Sequence, residues 1–352
     1  MSNRRAELDS QNMAASIRAL PDQCRQALDT TAALKIPSYY GGINDILIAG
    51  MGDSALGGHV LLSLYGDRLK VPVVTWNQYG LPGWVDRSTL VVLSSYSGST
   101  AETLAAAEEA VARQGPIIGI TAGGPLRTFL ERHHAPYYHI VPDHNPCGQP
   151  RMALGYAVMG LLGLLWHTGL IPDSFEQGKA VVDEFAEKAL IFNEGDRESL
   201  VAKAVQTVRR RLIYVVASEH LQGNAHILAN QLNENAKCLA TWFALPEMNH
   251  HLMEGLLQPS DLRDSVSFIF LESEHYAPAV QARYAVTQEI LRDLDISYRR
   301  LQIENSHPLT EVLMVLLVGS WLSYELALAY DLDPSPIPYV DKFKRALKEK
   351  GF

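Results

Sequence analysis

A hydroxyl-rich turn lies between an apolar run and a helical segment in the first third of the chain. It reads Ser-Ser-Tyr-Ser-Gly-Ser-Thr from Ser94 to Thr100 and holds four serines and one threonine. The first amides of a helix lack partners within the helix and carry partial positive charge, so small hydroxyls placed there suit an anion such as phosphate. A plain helix cap by Ser99 or Thr100 is the alternative. Because a cap needs one hydroxyl and five are present, the cluster favours an anion or sugar site.

A second glycine-containing turn, Gly50-Met51-Gly52-Asp53-Ser54, follows an earlier apolar run. Glycines let backbone amides approach a ligand closely, which makes this turn a second candidate for anion binding. The turn is neither a G-x-G-x-x-G nor a Walker A sequence, so it gives nucleotide binding no specific support.

Candidate acid–base groups lie in the second half of the chain. Glu234 stands near the predicted end of a helix, where its carboxylate could act as a general base if partial burial raised its pKa towards neutrality. Spacing alone favours a solvated glutamate. His250 could carry a proton near neutral pH. His250, His251 and Glu254 do not form a recognised zinc-binding pattern, so no metal site and no cofactor are predicted.

The bulk composition limits the possible functions. The 352 residues are 47% hydrophobic and carry a formal net charge of −9, with no long run of Lys and Arg. Length favours two domains, and the charge argues against nucleic acid as a partner. The three cysteines, Cys24, Cys147 and Cys238, are far apart, which suggests neither a disulfide framework nor a cysteine metal site.

The N-terminus carries charged residues before any apolar run, which is not the order expected of a secretory signal peptide. Two long apolar runs, 153–171 and 313–330, contain polar residues and adjoin strand–helix patterns. We therefore predict buried core helices, no membrane span and a cytoplasmic location.

Strand-like and helix-like segments alternate in both halves. The strand-like runs of the first half span residues 45–49, 71–76, 89–94, 116–121 and 137–141; those of the second half span 211–217, 239–244, 266–271 and 298–303. This alternation predicts mostly parallel sheets with helices on both faces, and it makes the halves look like a degenerate duplication.

The predicted organisation is two tandem, doubly wound, flavodoxin-like α/β domains at 41–172 and 195–332. A helical segment, 1–40, precedes them. The segment 333–352 follows and contains an added C-terminal helix over 340–350, because the three prolines between Asp333 and Pro338 cannot all be helical.

Five motifs together resemble the bifunctional phosphoglucose/phosphomannose isomerases, a family of the sugar-isomerase (SIS) domain superfamily. The resemblance extends in order from about residue 45 to 350. The motifs are Gly50-Met51-Gly52-x-Ser54, Ser95-Tyr96-Ser97-Gly98-x-Thr100, Pro150-Arg151, Asn233-Glu234-Asn235-Ala236-Lys237 and Pro246-Glu247-x-Asn249-His250.

The resemblance implies two SIS-type domains and an aldose–ketose isomerase acting on glucose, mannose and fructose 6-phosphates. It implies that Glu234 is the base, that His250 opens the sugar ring, that Lys344 assists, and that Arg151 lies near the reacting carbons. It also implies a homodimer with a shared active site. The implied phosphate ligands are Gly52, Ser54, Ser95, Ser97 and Thr100.

The chain departs from the family pattern at two places. Asp53 stands where the family usually has glycine, and a carboxylate beside a phosphate dianion is unfavourable. Ile337-Pro338 replaces a Thr-Pro element and so lacks a hydroxyl. A phosphosugar-binding sensor without catalysis, or an isomerase of another sugar phosphate, therefore remains an alternative.

Overall fold

The structure is a computed structural model that describes residues 2–193, 197–303 and 307–351. The chain divides into two compact units. We call residues 19–183 the N-sheet unit, and residues 2–18 with 184–350 the C-sheet unit. Each unit contains one sheet of parallel strands.

The sheet of the N-sheet unit has five strands in the order β2-β1-β3-β4-β5. All are parallel, and the central strands β1 and β3 are continuous apolar runs because helices cover both of their faces. The strands are β1 Asp45–Gly50, β2 Val73–Trp76, β3 Thr89–Ser94, β4 Ile117–Thr121 and β5 Tyr137–His139.

The sheet of the C-sheet unit has four parallel strands in the order β7-β6-β8-β9. Its first strand is central and its second strand is at the edge, as in the other sheet. The strands are β6 Leu212–Ala217, β7 Ala240–Ala244, β8 Val266–Glu272 and β9 Tyr298–Gln302. The predicted pair of parallel-sheet, flavodoxin-like domains is confirmed.

The described residues form fifteen α-helices. In chain order they are α1 Ser2–Leu8, α2 Met13–Arg18, α3 Leu20–Ala32, α4 Leu56–Tyr65, α5 Ala101–Ala112, α6 Gly124–Arg132, α7 Leu154–Trp166, α8 Phe175–Ile191, α9 Arg197–Val208, α10 Gln222–Glu234, α11 Met248–His251, α12 Leu262–Ser265, α13 Pro278–Asp293, α14 Pro308–Ala329 and α15 Pro338–Glu349.

Several helices depart from the predicted organisation. The polar, acidic stretch that the sequence left unassigned after Asp173 forms α8, and α9 follows it. The N-terminal segment 1–40 divides between the units, since α1 and α2 belong to the C-sheet unit and α3 to the N-sheet unit. Helix α15 begins at Pro338, two residues earlier than predicted, because proline is tolerated in a first turn.

Helix α14 is long and apolar enough to cross a membrane, but 83% of its most apolar 18-residue window is buried inside the protein. Helix α7 is shorter, and nearly all of its residues are buried. Both predicted apolar runs thus form buried helices, as in the core of a folded α/β domain.

A buried glutamine joins α3 to α7 in the N-sheet unit. The Gln23 side chain is fully buried. Its Nε2 donates to the carbonyls of His144 at 3.0 Å and Met152 at 2.9 Å, and its Oε1 accepts from Gly155 N at 3.1 Å. One amide therefore satisfies three backbone groups, one in the loop at His144 and two, at Met152 and Gly155, around the start of α7.

Replacing Gln23 by Met should lower the free energy of unfolding of the N-sheet unit by about 2–4 kcal/mol, because buried backbone groups lose their partners. Urea unfolding followed by tryptophan fluorescence measures the change. Gln206→Met, at an exposed site on α9, is the matched control and should be nearly neutral. Equal effects of the two substitutions would contradict this role of Gln23.

Candidate functional site

The serine turn, residues 94–100, connects β3 to α5. Ser95 is buried, and its hydroxyl lies 2.8 Å from Thr100 Oγ1 and accepts from Gly98 N at 3.1 Å. Ser97 and Ser99 are exposed, and the Ser99 hydroxyl donates to Ser97 Oγ at 3.1 Å. The turn therefore has one hydroxyl pair inside, formed by Ser95 and Thr100, and one pair at the surface, formed by Ser97 and Ser99.

Neither Ser99 nor Thr100, the two candidate caps, caps α5 with its side chain. Thr100 is the N-cap residue, with φ −67° and ψ 118°, but its side chain accepts no amide of the first turn. Its hydroxyl contacts Ser95 instead, and that of Ser99 contacts Ser97. Because no cap side chain covers the start of α5, the positive end of the helix remains available to an anion.

A close backbone contact fixes the shape of the serine turn. Gly98 has φ +67°, and a Cβ built on it would lie 1.8 Å from Gly123 O in the turn that follows β4. Two hydrogen bonds join the same turns, from Leu126 N to Gly98 O at 2.8 Å and from Ala122 N to Tyr96 O at 3.0 Å. Only glycine fits at position 98.

The turn after β1 is tied to the serine turn. Gly50 and Ser94, the last residues of β1 and β3, are register partners. Ser94 Oγ donates to Ser54 O at 2.7 Å, and Ser54 Oγ accepts from Tyr96 N at 3.0 Å. Gly52 has φ +51°, and the space over its α-carbon is open. The structure thus brings Gly52 and Ser54 to the serine turn, at the switch point of the sheet where ligands bind in such folds.

A narrow crevice opens at these strand ends. Asp53 lines it and is half-buried, so the departure from the family pattern lies within the candidate site. Arg151 lies next to the lining residue Pro150, is 1% exposed, and donates from Nη1 to Gln149 Oε1 at 2.6 Å. Arg151 is therefore not a surface side chain. The lining residues are Asp53, Ser54, Ser94, Tyr96, Ile120, Ile140, Pro150, Ala153 and Ala157.

Glu234 is the last residue of α10 in the C-sheet unit, and its side chain is half-buried. The flanking asparagines are held by the protein. Asn233 Nδ2 donates to Ala240 O at 2.8 Å and its Oδ1 accepts from Ala240 N at 3.1 Å, while buried Asn235 donates to Ser323 Oγ at 3.0 Å. These bonds fix the backbone on both sides of the carboxylate.

Lys237 completes this helix end. Its Nζ donates to the carbonyls of Glu234 at 2.9 Å, Asn235 at 3.1 Å, Asp333 at 3.2 Å and Pro334 at 3.0 Å. The ammonium therefore neutralises the negative end of α10 and binds it to the segment that precedes α15.

His250 and Lys344 are exposed side chains on two other elements of the C-sheet unit, α11 and α15. His251 and Glu254 are exposed as well. Within the described ranges no group of three His, Cys, Asp or Glu side chains could hold a metal ion. Glu234, His250 and Lys344 thus lie on three separate elements, whereas the predicted phosphate ligands share two adjoining turns.

Sequence reasoning missed the contacts that join the two turns and one residue beside them. Ser94 and the Tyr96 amide join the two turns, and Asn77 Nδ2 donates to Gly50 O at 2.6 Å at the end of β1. Asn77 directly follows β2, so its position at the carboxyl end of the neighbouring parallel strand was the available signal.

The sheet topology and the serine turn define a SIS domain in the N-sheet unit. Residues 44–152 match the SIS domain, and residues 198–347 match the bacterial phospho-glucose isomerase C-terminal SIS domain. The first matched region contains the sheet of the N-sheet unit, and the second contains the sheet of the C-sheet unit.

The chain belongs to the family of bifunctional phosphoglucose/phosphomannose isomerases. It is 30% identical to such a protein from Aquifex aeolicus, over 86% of this chain and 90% of the relative. It is 29% identical to one from Caldicellulosiruptor bescii, over 95% of this chain and 98% of the relative. A hypothetical protein from Thermus thermophilus shares the fold, with a TM-score of 0.75 at 18% identity, covering 99% of this chain and 94% of its own.

Gly98→Ala should destroy anion binding at the serine turn, because its Cβ would overlap Gly123 O and a left-handed alanine alone costs about 1–2 kcal/mol. Calorimetric titration with inorganic phosphate measures the loss. Gly83→Ala is the control, since nothing lies within 4 Å of a Cβ at that exposed position. Unchanged phosphate affinity in a folded Gly98→Ala variant would exclude the serine turn as the anion site.

Proposed function

We propose that this protein interconverts the aldose and ketose forms of phosphorylated hexoses, with glucose 6-phosphate and mannose 6-phosphate giving fructose 6-phosphate. The serine turn carries the proposal, because it offers uncapped helix amides and neutral hydroxyl donors at a sheet switch point. The names of the relatives support the same reaction class. The chemistry needs a base and polar stabilisation, so the proposal is independent of metal and cofactor.

The substrate phosphate binds at the serine turn in this proposal. Ser95, Ser97 and Thr100 supply hydroxyls, and the first amides of α5 supply N–H donors. Ser54 and the backbone at Gly52 face the same place from the neighbouring turn. Neutral donors and a helix N-terminus hold the phosphate dianion without the help of a lysine. The rest of the sugar extends away from the turn.

Glu234 acts as the base in the proposed mechanism. Its carboxylate removes the proton from C2 of the open-chain aldose, the C–H electrons form the C1–C2 double bond, and the carbonyl oxygen becomes an enediolate oxygen. The proton of the C2 hydroxyl passes to the C1 oxygen, and the carbon-bound proton, returned to C1, gives the ketose. The hydrogen-bonded asparagines on both sides of Glu234 support this role, because a shuttle between adjacent carbons needs a carboxylate held in place.

Three further residues have proposed roles. His250 protonates the ring oxygen to open the sugar, for which its solvent exposure supplies proton exchange. Arg151 stabilises the enediolate oxygen with its fixed guanidinium charge. Lys344 assists with a second positive charge.

Replacing Glu234 by Gln should lower kcat for fructose 6-phosphate by roughly 10²–10⁴-fold, because the amide cannot accept the carbon-bound proton. The dissociation constant for fructose 6-phosphate should change little. A coupled assay that detects glucose 6-phosphate and mannose 6-phosphate separately gives the rates.

Glu254→Gln is the matched control, since Glu254 is an exposed carboxylate close to His250 in sequence. Full activity in Glu234→Gln would remove Glu234 as the base. Transfer of deuterium from C2 of labelled glucose 6-phosphate to C1 of fructose 6-phosphate, followed by NMR, should be lost together with turnover.

The wild-type assay also decides between this proposal and its alternatives. Asp53 lines the crevice, and its negative charge favours a sugar hydroxyl over a second anionic group there. Both products from fructose 6-phosphate would establish the bifunctional isomerase. Binding without any turnover would favour a sensor or an isomerase of another sugar phosphate.

A cytoplasmic homodimer with a shared active site is part of the proposal. Helix α15 supports a dimer interface, because on its apolar face Tyr339 is 86% exposed and Phe343 is 62% exposed. Large aromatic side chains on one face of an amphipathic helix are typical of surfaces that a partner covers.

Phe343→Asp should convert the dimer to a monomer, because a carboxylate in a covered apolar interface is left without a partner. Sedimentation velocity measures the mass, with the wild type expected at twice the chain mass. Arg345→Asp changes the opposite face of α15 and should leave the dimer intact. A monomeric wild type would refute the dimer.

A further inference from the structure

Helix α11 carries His250, the proposed ring-opening residue. The helix has only four residues, Met248–His251, and an isolated helix of that length is not stable in water. Met248 is 1% exposed and anchors one face of the helix in the core of the C-sheet unit. His251 packs its ring against that of Phe243, with the ring centroids 6.2 Å apart. The orientation of α11 therefore depends on its side-chain contacts.

Asn249 supplies a further contact, which joins α11 to α13. Its Nδ2 donates to Thr287 Oγ1 at 2.8 Å. Thr287 is 1% exposed, and its hydroxyl donates in turn to Arg283 O at 2.7 Å, one turn earlier in α13. Because the Thr287 proton is used in that bond, the hydroxyl accepts from Asn249 and does not donate to it. The direction of the bond between the two helices is therefore fixed.

Both ends of the Asn249 amide are held by α13. Arg283 Nη1 donates to Asn249 Oδ1 at 3.4 Å, while Thr287 accepts from Nδ2. The two residues of α13 lie four positions apart and so share one face of that helix. His250 directly follows Asn249 and is exposed. The contact with α13 thus fixes the short piece of backbone from which the imidazole projects.

We propose that Thr287 is a positioning residue for ring opening, acting through Asn249 on His250. The inference rests on the proposed function, since it gives a support to the proton donor of that reaction. Thr287 is buried against α11 and does not itself contact the sugar. Its hydroxyl holds the helix that carries the donor.

Ring opening depends on where the donor stands. Protonated His250 gives its proton to the ring oxygen O5, and the C1–O5 bond breaks with its electrons going to O5. The C1 hydroxyl loses its proton to water as the C1 carbonyl forms. The transfer requires the imidazole within hydrogen-bonding distance of O5, so a shift of α11 by about 1 Å slows this step.

Anomer exchange of glucose 6-phosphate separates ring opening from isomerisation. Opening the ring and closing it on the other face of the carbonyl interconverts the α and β anomers, and this exchange removes no proton from C2. It can therefore be measured in the Glu234→Gln background, in which isomerisation should be lost. Exchange-spectroscopy NMR with the full-length protein gives the catalysed rate above the spontaneous rate in buffer.

Thr287→Val removes the hydroxyl but keeps the shape of the side chain. It should lower the catalysed exchange roughly tenfold or more, because the proton donor loses its catalytic position. The dissociation constant for glucose 6-phosphate should change little. Thr287→Ser, which restores the hydroxyl, should exchange anomers at nearly the parent rate. Asn249→Ala should match Thr287→Val, and the double variant should be no slower than either, because the two residues share one hydrogen bond.

Thr207→Val on α9 is the matched control. The Thr207 hydroxyl also donates to the carbonyl four residues earlier, Lys203 O at 2.9 Å, and it holds no side chain of another element in the described part of the chain. This variant should exchange anomers at the parent rate. His250→Gln sets the lower limit, since it removes the proton donor and should reduce the exchange to the spontaneous rate.

The outcomes separate this proposal from the proposed function. If His250→Gln lowers the exchange but Thr287→Val does not, or if Thr287→Ser loses as much as Thr287→Val, the positioning role is overturned and the role of His250 stands. No catalysed exchange in the parent, or exchange unchanged in His250→Gln, would overturn both. Absence of fructose 6-phosphate from the wild-type reaction refutes the isomerase proposal by itself.

Discussion

The contact between two backbone turns determines the geometry of the candidate site. The turns after β3 and β4 approach so closely at Gly98 and Gly123 that no side chain fits between them. Backbone hydrogen bonds across this contact hold the serine turn in one shape. The Ser95 hydroxyl is then committed to Thr100 and not to capping α5. The candidate anion site therefore depends on backbone packing as much as on the serines themselves.

Much of the fold could be predicted from sequence because both sheets are built from buried apolar runs separated by helices. Helix α8 was left unassigned because its sequence is polar and acidic, although Val181, Phe185 and Ala189 repeat every four residues and are buried. The serine turn was recognised from residue types alone. Its lack of a side-chain cap could not be recognised, since that depends on which of several neighbours each hydroxyl contacts. The roles of Asn233 and Asn235 were likewise open until their partners were known.

The two sheets share a topology but differ in what lies at their carboxyl ends. In one, small neutral side chains leave the helix end open. In the other, Glu311 satisfies Ser273 and His220 from within the protein. A duplicated fold thus provides two similar frames, and a single buried carboxylate is enough to make them chemically unlike. The resemblance of the halves in sequence pattern therefore does not extend to the side chains at the ends of their strands.

Lys237, just after α10, connects the segment of the proposed base Glu234 to the segment before α15. Its one ammonium group holds four carbonyl oxygens, two beside Glu234 and two in the segment before α15. Acetylation of Lys237 would remove that charge and leave a single N–H donor, so most of the contacts that join the two segments would be lost. A covalent modification of one side chain would then loosen the proposed base and the C-terminal helix together, which gives the molecule a single point at which both could be switched off.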